Sequence, residues 1–322
     1  ATIYDNPELM KLINEHQIEV NPKDMLGVRV GIINREGTEL ILKFKEHMPE
    51  LAKLMPWADR YHQSVSDGEE LKQTMVDVDL VALTGDYAQC RGVITTAQNL
   101  PNNDKLSIKT GGGRRNAYHR QVRKSADAER NRKLLEKLVA PELHKYFDLE
   151  ADHLFVIGHE NGHSLGPDNE YQRALGLHRS TIEEEKADTV SIAFMPEYVK
   201  AGVIDAETLK KIYTTWVVYR LFLKAQPLEA HRVGELIHFN FLHDNGAFYF
   251  DENNKLHINF DRFHEVVFAM LKETIEVQLS KSSEKAKAFI DKYTNWGKHS
   301  QYIAEVQKEL GVKNYIVIKD YF

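Results

Sequence analysis

Two histidines four positions apart, in His159-Glu160-Asn161-Gly162-His163, constrain this 322-residue chain more than any other feature. Residues at that spacing share a face only on a helix, where both imidazoles can reach one point. The apolar run Leu154-Phe155-Val156-Ile157 leads into the segment, as in a helix buried beneath a cleft. Gly162 costs such a helix ~1 kcal/mol relative to alanine, so its presence implies close packing rather than a solvated face. Neutral imidazoles bind zinc at ~2.0–2.1 Å, and a catalytic site keeps one position for water. Glu160, beside the first histidine, is placed to take that water's proton. Taken alone, the segment reads equally well as a surface helix with two unrelated histidines.

The third ligand is sought downstream, in Glu183-Glu184-Glu185-Lys186-Ala187-Asp188. Ligand histidines need their second ring nitrogens oriented by acceptors, so a metal helix wants a carboxylate pair rather than a single acid. Glu184 and Asp188 stand four apart, one to coordinate and one to accept from an imidazole. Glu185 is followed at that distance by Thr189, and Glu183 by Ala187. Glu184 is therefore the expected ligand, with Glu183 and Asp188 as the carboxylates that steady the imidazoles. A run of three acids on its own is commonly no more than a solvated helix start.

Around these motifs the chain reads as α+β and mostly α. Val28 to Asn34 and Val76 to Thr84 are expected strands, with Arg91 to Thr96 a third. Thr38 to Leu54 has helical apolar spacing, interrupted at Pro49. Asn99 to Asp104 is turn chemistry and is expected as a loop. Helices are expected over Ala126–Val139, Leu154–Leu165, from a Ser180 or Thr181 cap to Met195, Ala206–Ala225, Leu228–Asn245, Phe260–Leu279 and Ser283–Tyr293. Phe248–Phe250 and Lys255–Phe260 make a hairpin, and Asn314–Lys319 a last strand. His238 and His243, five apart, pair poorly for one metal and read as structural.

A net charge of −6 argues against a nucleic-acid partner. The local exception, the basic stretch Lys105 to Lys133 around Gly111-Gly112-Gly113, lacks the Gly-Lys-Ser/Thr ending of a phosphate loop. No apolar run approaches the ~18 residues of a membrane span, and no signal peptide is visible. The single cysteine, Cys90, fits a reducing compartment, so a cytoplasmic location is expected. Oligomeric state is not encoded in any motif.

The six residues Glu183 to Asp188 resemble the E-E-x-[KR]-A-[DE] motif of the dipeptidyl peptidase III family of zinc exopeptidases. The histidine motif resembles a shorter variant of that family's H-E-x-x-G-H, keeping the glycine before the second histidine. Asn99-Leu100-Pro101-Asn102 is similar to the family's N-[IL]-P-N loop, and Ala230-His231 to the segment carrying its intermediate-stabilising histidine. The resemblance runs from about residue 28 to 320. It implies one zinc per chain on His159, His163 and Glu184, Glu160 as base, and His231 stabilising the tetrahedral intermediate. It also implies Asn99 and Asn102 on the backbone of a bound peptide. The implied fold is a helical catalytic lobe (37–74 and 121–290) facing a smaller β-containing lobe (1–36, 75–120 and 291–322) across a cleft. The family's tyrosine before the first strand has no counterpart, since Glu19-Val20-Asn21-Pro22 stands there, and most of its N-terminal region is missing. These departures bear on dipeptide release rather than on hydrolysis.

The expected function is thus a zinc peptidase that releases dipeptides from the N-termini of short peptides. The alternatives are an endopeptidase or other amidohydrolase of the same metal-site type, and a non-catalytic zinc-containing peptide-binding module. Retention of Glu160 favours an enzyme, because a structural zinc site needs no base.

Overall fold

The computed structural model describes residues 27–63, 74–85, 96–100, 115–119 and 128–311, together with positions 11, 15 and 65. The chain divides into two compact units. The first comprises residues 1–31 and 80–94, and its described part is chiefly extended chain, at 27–31 and 80–85. The second comprises 32–79 and 95–322 and holds the helices described below.

Strand β1 (Gly27–Asn34) ends on Asn34, whose side chain accepts from the Gly37 amide at 2.7 Å and so caps helix α1 (Arg35–Glu46). Helix α2 (Met48–Leu54) follows at once, with Pro49 in its first turn, where a missing amide proton costs nothing. The helical run interrupted at Pro49 is therefore two helices rather than one kinked one. Strands β2 (Thr74–Gly85), β3 (Ala97–Leu100) and β4 (Arg115–His119) complete a sheet of order β1-β2-β4-β3. Thr74 to Val78 of β2 run parallel to β4, and β3 runs antiparallel to it with Asn99 opposite Asn116. Asn99 and Leu100 thus lie in a strand and not in the expected loop, because pairing with β4 satisfies a backbone whose sequence reads as turn chemistry. The segments 91–95, 101–114 and 314–319 lie outside the described residues, and with them Cys90, Asn102 and the glycine run.

The rest is helical, and the fold is α+β and mostly α. Helix α3 (Ala128–Leu138) leads through a 3₁₀ turn (Pro141–Tyr146) to α4 (Leu149–Gly162), which starts a turn earlier than the apolar run because Asp148 caps it. A short α5 (Asn169–Arg173) precedes α6 (Arg179–Lys200). Neither Ser180 nor Thr181 caps α6; a 3₁₀ turn at Gly176–His178 runs straight into it. Nor does Pro196 end it. The helix gives up one backbone bond there but keeps Met195 and Tyr198 in the core.

Helix α7 (Ala206–Tyr219) stops six residues short of the expected end. Leu221, Phe222 and Leu223 continue the apolar run, but as buried residues outside the helix. Helix α8 (Ala230–Asp244), the antiparallel hairpin β5 (Phe248–Phe250) and β6 (Leu256–Ile258), α9 (Phe260–Leu279) and α10 (Ser283–Tyr293) fall where periodicity places them. A last helix, α11 (Lys298–Glu309), buries only Ser300, Ile303, Val306 and Gln307, too thin a stripe to stand out in sequence. Helices α4, α7, α8 and α9 all pack on α6, which makes α6 the axis of the second unit. Among the described residues no helix is long and apolar enough to cross a membrane.

Candidate metal centre

The α4–α6 contact is set by the glycine of the histidine motif. A Cβ on Gly162 would lie 2.8 Å from the Ala187 carbonyl oxygen and 3.0 Å from its Cα, so only glycine lets the two backbones approach this closely. That approach brings the end of α4 beside the second and third turns of α6.

Three side-chain atoms converge there. His159 Nε2 and His163 Nε2 lie 3.1 Å apart, and Glu184 Oε2 is 3.4 Å from the first and 3.5 Å from the second. The outer ring nitrogens face carboxylates: His159 Nδ1 is 2.7 Å from Asp188 Oδ1, and His163 Nδ1 is 2.9 Å from Glu183 Oε1. Carboxylates only accept, so each Nδ1 carries a proton and each Nε2, in the neutral imidazole, presents a lone pair inward. Two ring nitrogens and a carboxylate oxygen that has no hydrogen-bond partner therefore converge on one place. Three converging acceptors are tolerable only around a positive charge.

The spacing fits a metal ion. Donor atoms ~2.0–2.1 Å from a tetrahedral zinc stand about 3.3 Å from one another, close to the triangle observed. His159, His163 and Glu184 are the group among the described residues able to hold such an ion.

Charge around the centre is arranged to match. Burial works to raise the carboxyl of Glu184, yet the histidines around it hold it well below its ordinary range. Burial opposes a proton on His159, but Asp188 and Glu184 together raise the imidazole well above its usual value, so an ion bound here would take the place of a proton on Nε2. Asp188, buried beside His159, is depressed by the Arg220 guanidinium, whose Nη2 donates to its Oδ2 at 2.9 Å. Glu183 is held down by Lys186, 3.0 Å from its Oε1. Lys186 is fully buried and also donates to the carbonyls of Gly162 and Leu165, at 2.8 and 2.7 Å. Each imidazole thus leans on a carboxylate, and each carboxylate on a buried cation. Arg220 and Lys186 were not expected as part of the site; Arg220 lies 32 residues from Asp188, and no local pattern links them.

Glu160 follows His159 on α4, and burial raises its carboxyl above the ordinary range. His231 opens α8, where Glu229 caps the helix by accepting from the amides of His231 and Arg232 at 3.0 and 3.1 Å. Its Nδ1 lies 3.7 Å from Glu184 Oε2, and its ring is 6.1 Å from that of His159. Unlike the other two histidines it is half-exposed, with 55% of its side chain open to solvent. Glu185 points away from the centre, fully buried against Thr189. His238, fully buried, lies 3.9 Å from Glu185 and 3.7 Å from Asp188. Asn99 lies in β3 and its side chain is outside the described set.

No protein-family profile matches the chain. It is 22% identical over 275 residues to a Nudix hydrolase 3 of Arabidopsis thaliana, covering 82% of this chain and 34% of that protein. Among solved structures it is similar to DPP III from Caldithrix abyssi, with a TM-score of 0.75 at 22% identity over 88% of this chain and 55% of the other. It is also similar to dipeptidyl-peptidase III from Corallococcus sp. strain EGB, with a TM-score of 0.77 at 20% identity, covering 88% and 53%. The chain therefore spans about a third of the sequence relative and about half of the structural ones. At these identities the likeness is one of fold.

Proposed function

We propose that this chain is a zinc-dependent peptidase, with the ion held by His159, His163 and Glu184 and with dipeptides released from the N-termini of short peptides. The observation that carries the reading is the convergence of three acceptor atoms within 3.5 Å of one another, both imidazoles oriented from behind by carboxylates. Similarity in fold to two dipeptidyl peptidase III structures supports peptide hydrolysis over other uses of such a site.

Zinc, when bound there, lowers the pKa of a water molecule toward neutrality and polarises a carbonyl. The chain's own residues would do the remainder. Glu160 accepts the proton of the attacking water and delivers it to the departing amine. Burial, which raises its carboxyl above the ordinary range, brings its basicity closer to what both transfers require. His231 reaches the same space from a separate helix and is open on one side, so its imidazole can donate to the oxygen on which negative charge develops. Asn99 and Asn102 are proposed to hold the backbone of the peptide. Retention of a buried glutamate beside the ligands argues for turnover over passive peptide binding.

The test is cleavage of dipeptidyl-naphthylamides against N-terminally blocked peptides by the metal-loaded chain, with Glu160→Gln as control. Cleavage of free but not blocked N-termini supports dipeptide release, and equal cleavage of both identifies an endopeptidase. If the zinc-loaded wild type is as inactive as Glu160→Gln on every peptide, the enzyme reading is wrong.

A further inference from the structure

Arg220 sits at the end of α7, 6% exposed, with its guanidinium carbon 4.6 Å from the centre of the Trp216 ring and 5.5 Å from that of Phe155. Two aromatic faces fix the plane of the guanidinium, and its Nη2 donates to Asp188 Oδ2. The other oxygen of Asp188 accepts from His159. A carboxylate held at one oxygen by a fixed donor cannot rotate freely, so the direction of its second oxygen is determined as well.

The alternative position for that carboxylate is also visible. His238 Nδ1 is 3.7 Å from Asp188 Oδ2, buried and without a hydrogen-bond partner. Without Arg220, Asp188 has a second imidazole toward which to swing, and His159 loses its acceptor. Glu235, a part-buried carboxylate whose charge Arg220 also feels, is engaged by two bonds from Arg232, at 2.9 and 2.7 Å, and does not compete for the guanidinium.

We infer that Arg220 is a positioning residue for the metal centre: by clamping Asp188 toward His159 and away from His238, it aims His159 Nε2 at the ion. Groups that orient metal ligands in this way typically govern affinity by roughly 10–100-fold when removed. The inference rests on the metal reading of the site.

The experiment measures zinc affinity by competition with a chromophoric chelator, and the visible absorption of the cobalt-substituted protein, for wild type, Arg220→Met, Arg220→Lys, Asp188→Asn and the double variant. Folding of each metal-free protein is checked by circular dichroism. Arg220→Met is expected to bind zinc roughly 10–100-fold more weakly and to change the cobalt spectrum. Arg220→Lys, which keeps the charge but loses the flat fork, is expected to recover part of the loss. Because Arg220 acts through Asp188, the double variant is expected to bind no more weakly than Asp188→Asn alone. Affinity within about twofold of wild type in Arg220→Met, or losses that multiply in the double variant, would overturn the assignment. Should Arg220→Met not fold, Asp188→Asn and the double variant, which leaves no unpaired Asp188 charge, decide the matter by the same comparison. Wild type that binds neither zinc nor cobalt contradicts the metal reading itself; wild type that binds while every Arg220 variant binds equally well contradicts only the role of Arg220.

Discussion

Gly162 rests against Ala187 so closely that a single added methyl would stand 2.8 Å from the alanine's carbonyl oxygen. Both neighbours are helix backbone, which cannot rotate out of the way as a side chain can. Gly162→Ala gains up to ~1 kcal/mol of helix propensity and loses more by forcing α4 away from α6, since overpacking costs about 1–3 kcal/mol. The variant is expected to be destabilised in urea titration and to bind metal more weakly, because His163 and Glu184 lie on opposite sides of the displaced contact.

Lys186 answers three acceptors at once, the carbonyls of Gly162 and Leu165 and the carboxylate of Glu183. Lys186→Met keeps the volume and removes the charge, leaving Glu183 buried without its cation. A broken buried pair typically costs about 3–5 kcal/mol. Urea unfolding of the metal-free variant checks this, and a loss under about 1 kcal/mol would show the pair to be solvated.

Glu185 carries the pH prediction. Burial pushes its carboxyl up to about 8, against the pull of hydrogen bonds from Thr274 and Thr189. In the unfolded chain it titrates near its ordinary 4.5. A raised folded value means that its stabilising contribution is complete below pH 4.5 and is lost as pH rises through about 8. Glu185→Gln removes that dependence. Melting of the metal-free proteins is expected to show the variant gaining on wild type as pH rises from 5 to 8, and a difference that stays constant with pH would contradict the burial argument.

Glu160→Gln is isosteric and leaves the three metal-facing atoms in place. It is expected to keep zinc at the wild-type level and to lower kcat by roughly 10²–10⁴-fold, the usual worth of a positioned base. Metal analysis and kinetics on the same preparation check both halves.

The centre was legible in the sequence because its parts are local. His159 and His163, and Glu184 and Asp188, are each one helical turn apart, a spacing that only makes sense on a helix face. Asp188 also discriminated among three adjacent glutamates; in the structure Glu184 Oε2 lies beside both Nε2 atoms, while Glu183 faces His163 and Glu185 faces Thr189. What stayed hidden has no local signature. Arg220 reaches Asp188 only through the packing of α7 on α6, and the cap that presents His231 is a glutamate, an uncommon choice for that position. Elements failed for the same reason: Asn99 joins a strand because β4 lies beside it, and Pro196 continues a helix because Met195 and Tyr198 are held in the core.

Zinc content tests the central claim most directly. Wild type, His159→Ala and Glu184→Ala would be dialysed against zinc, passed through a desalting column and measured by plasma mass spectrometry. One zinc per wild-type chain, with most of it lost from both variants, is the expected result. A wild type that carries no zinc, or a Glu184→Ala variant that carries as much as wild type, would contradict it.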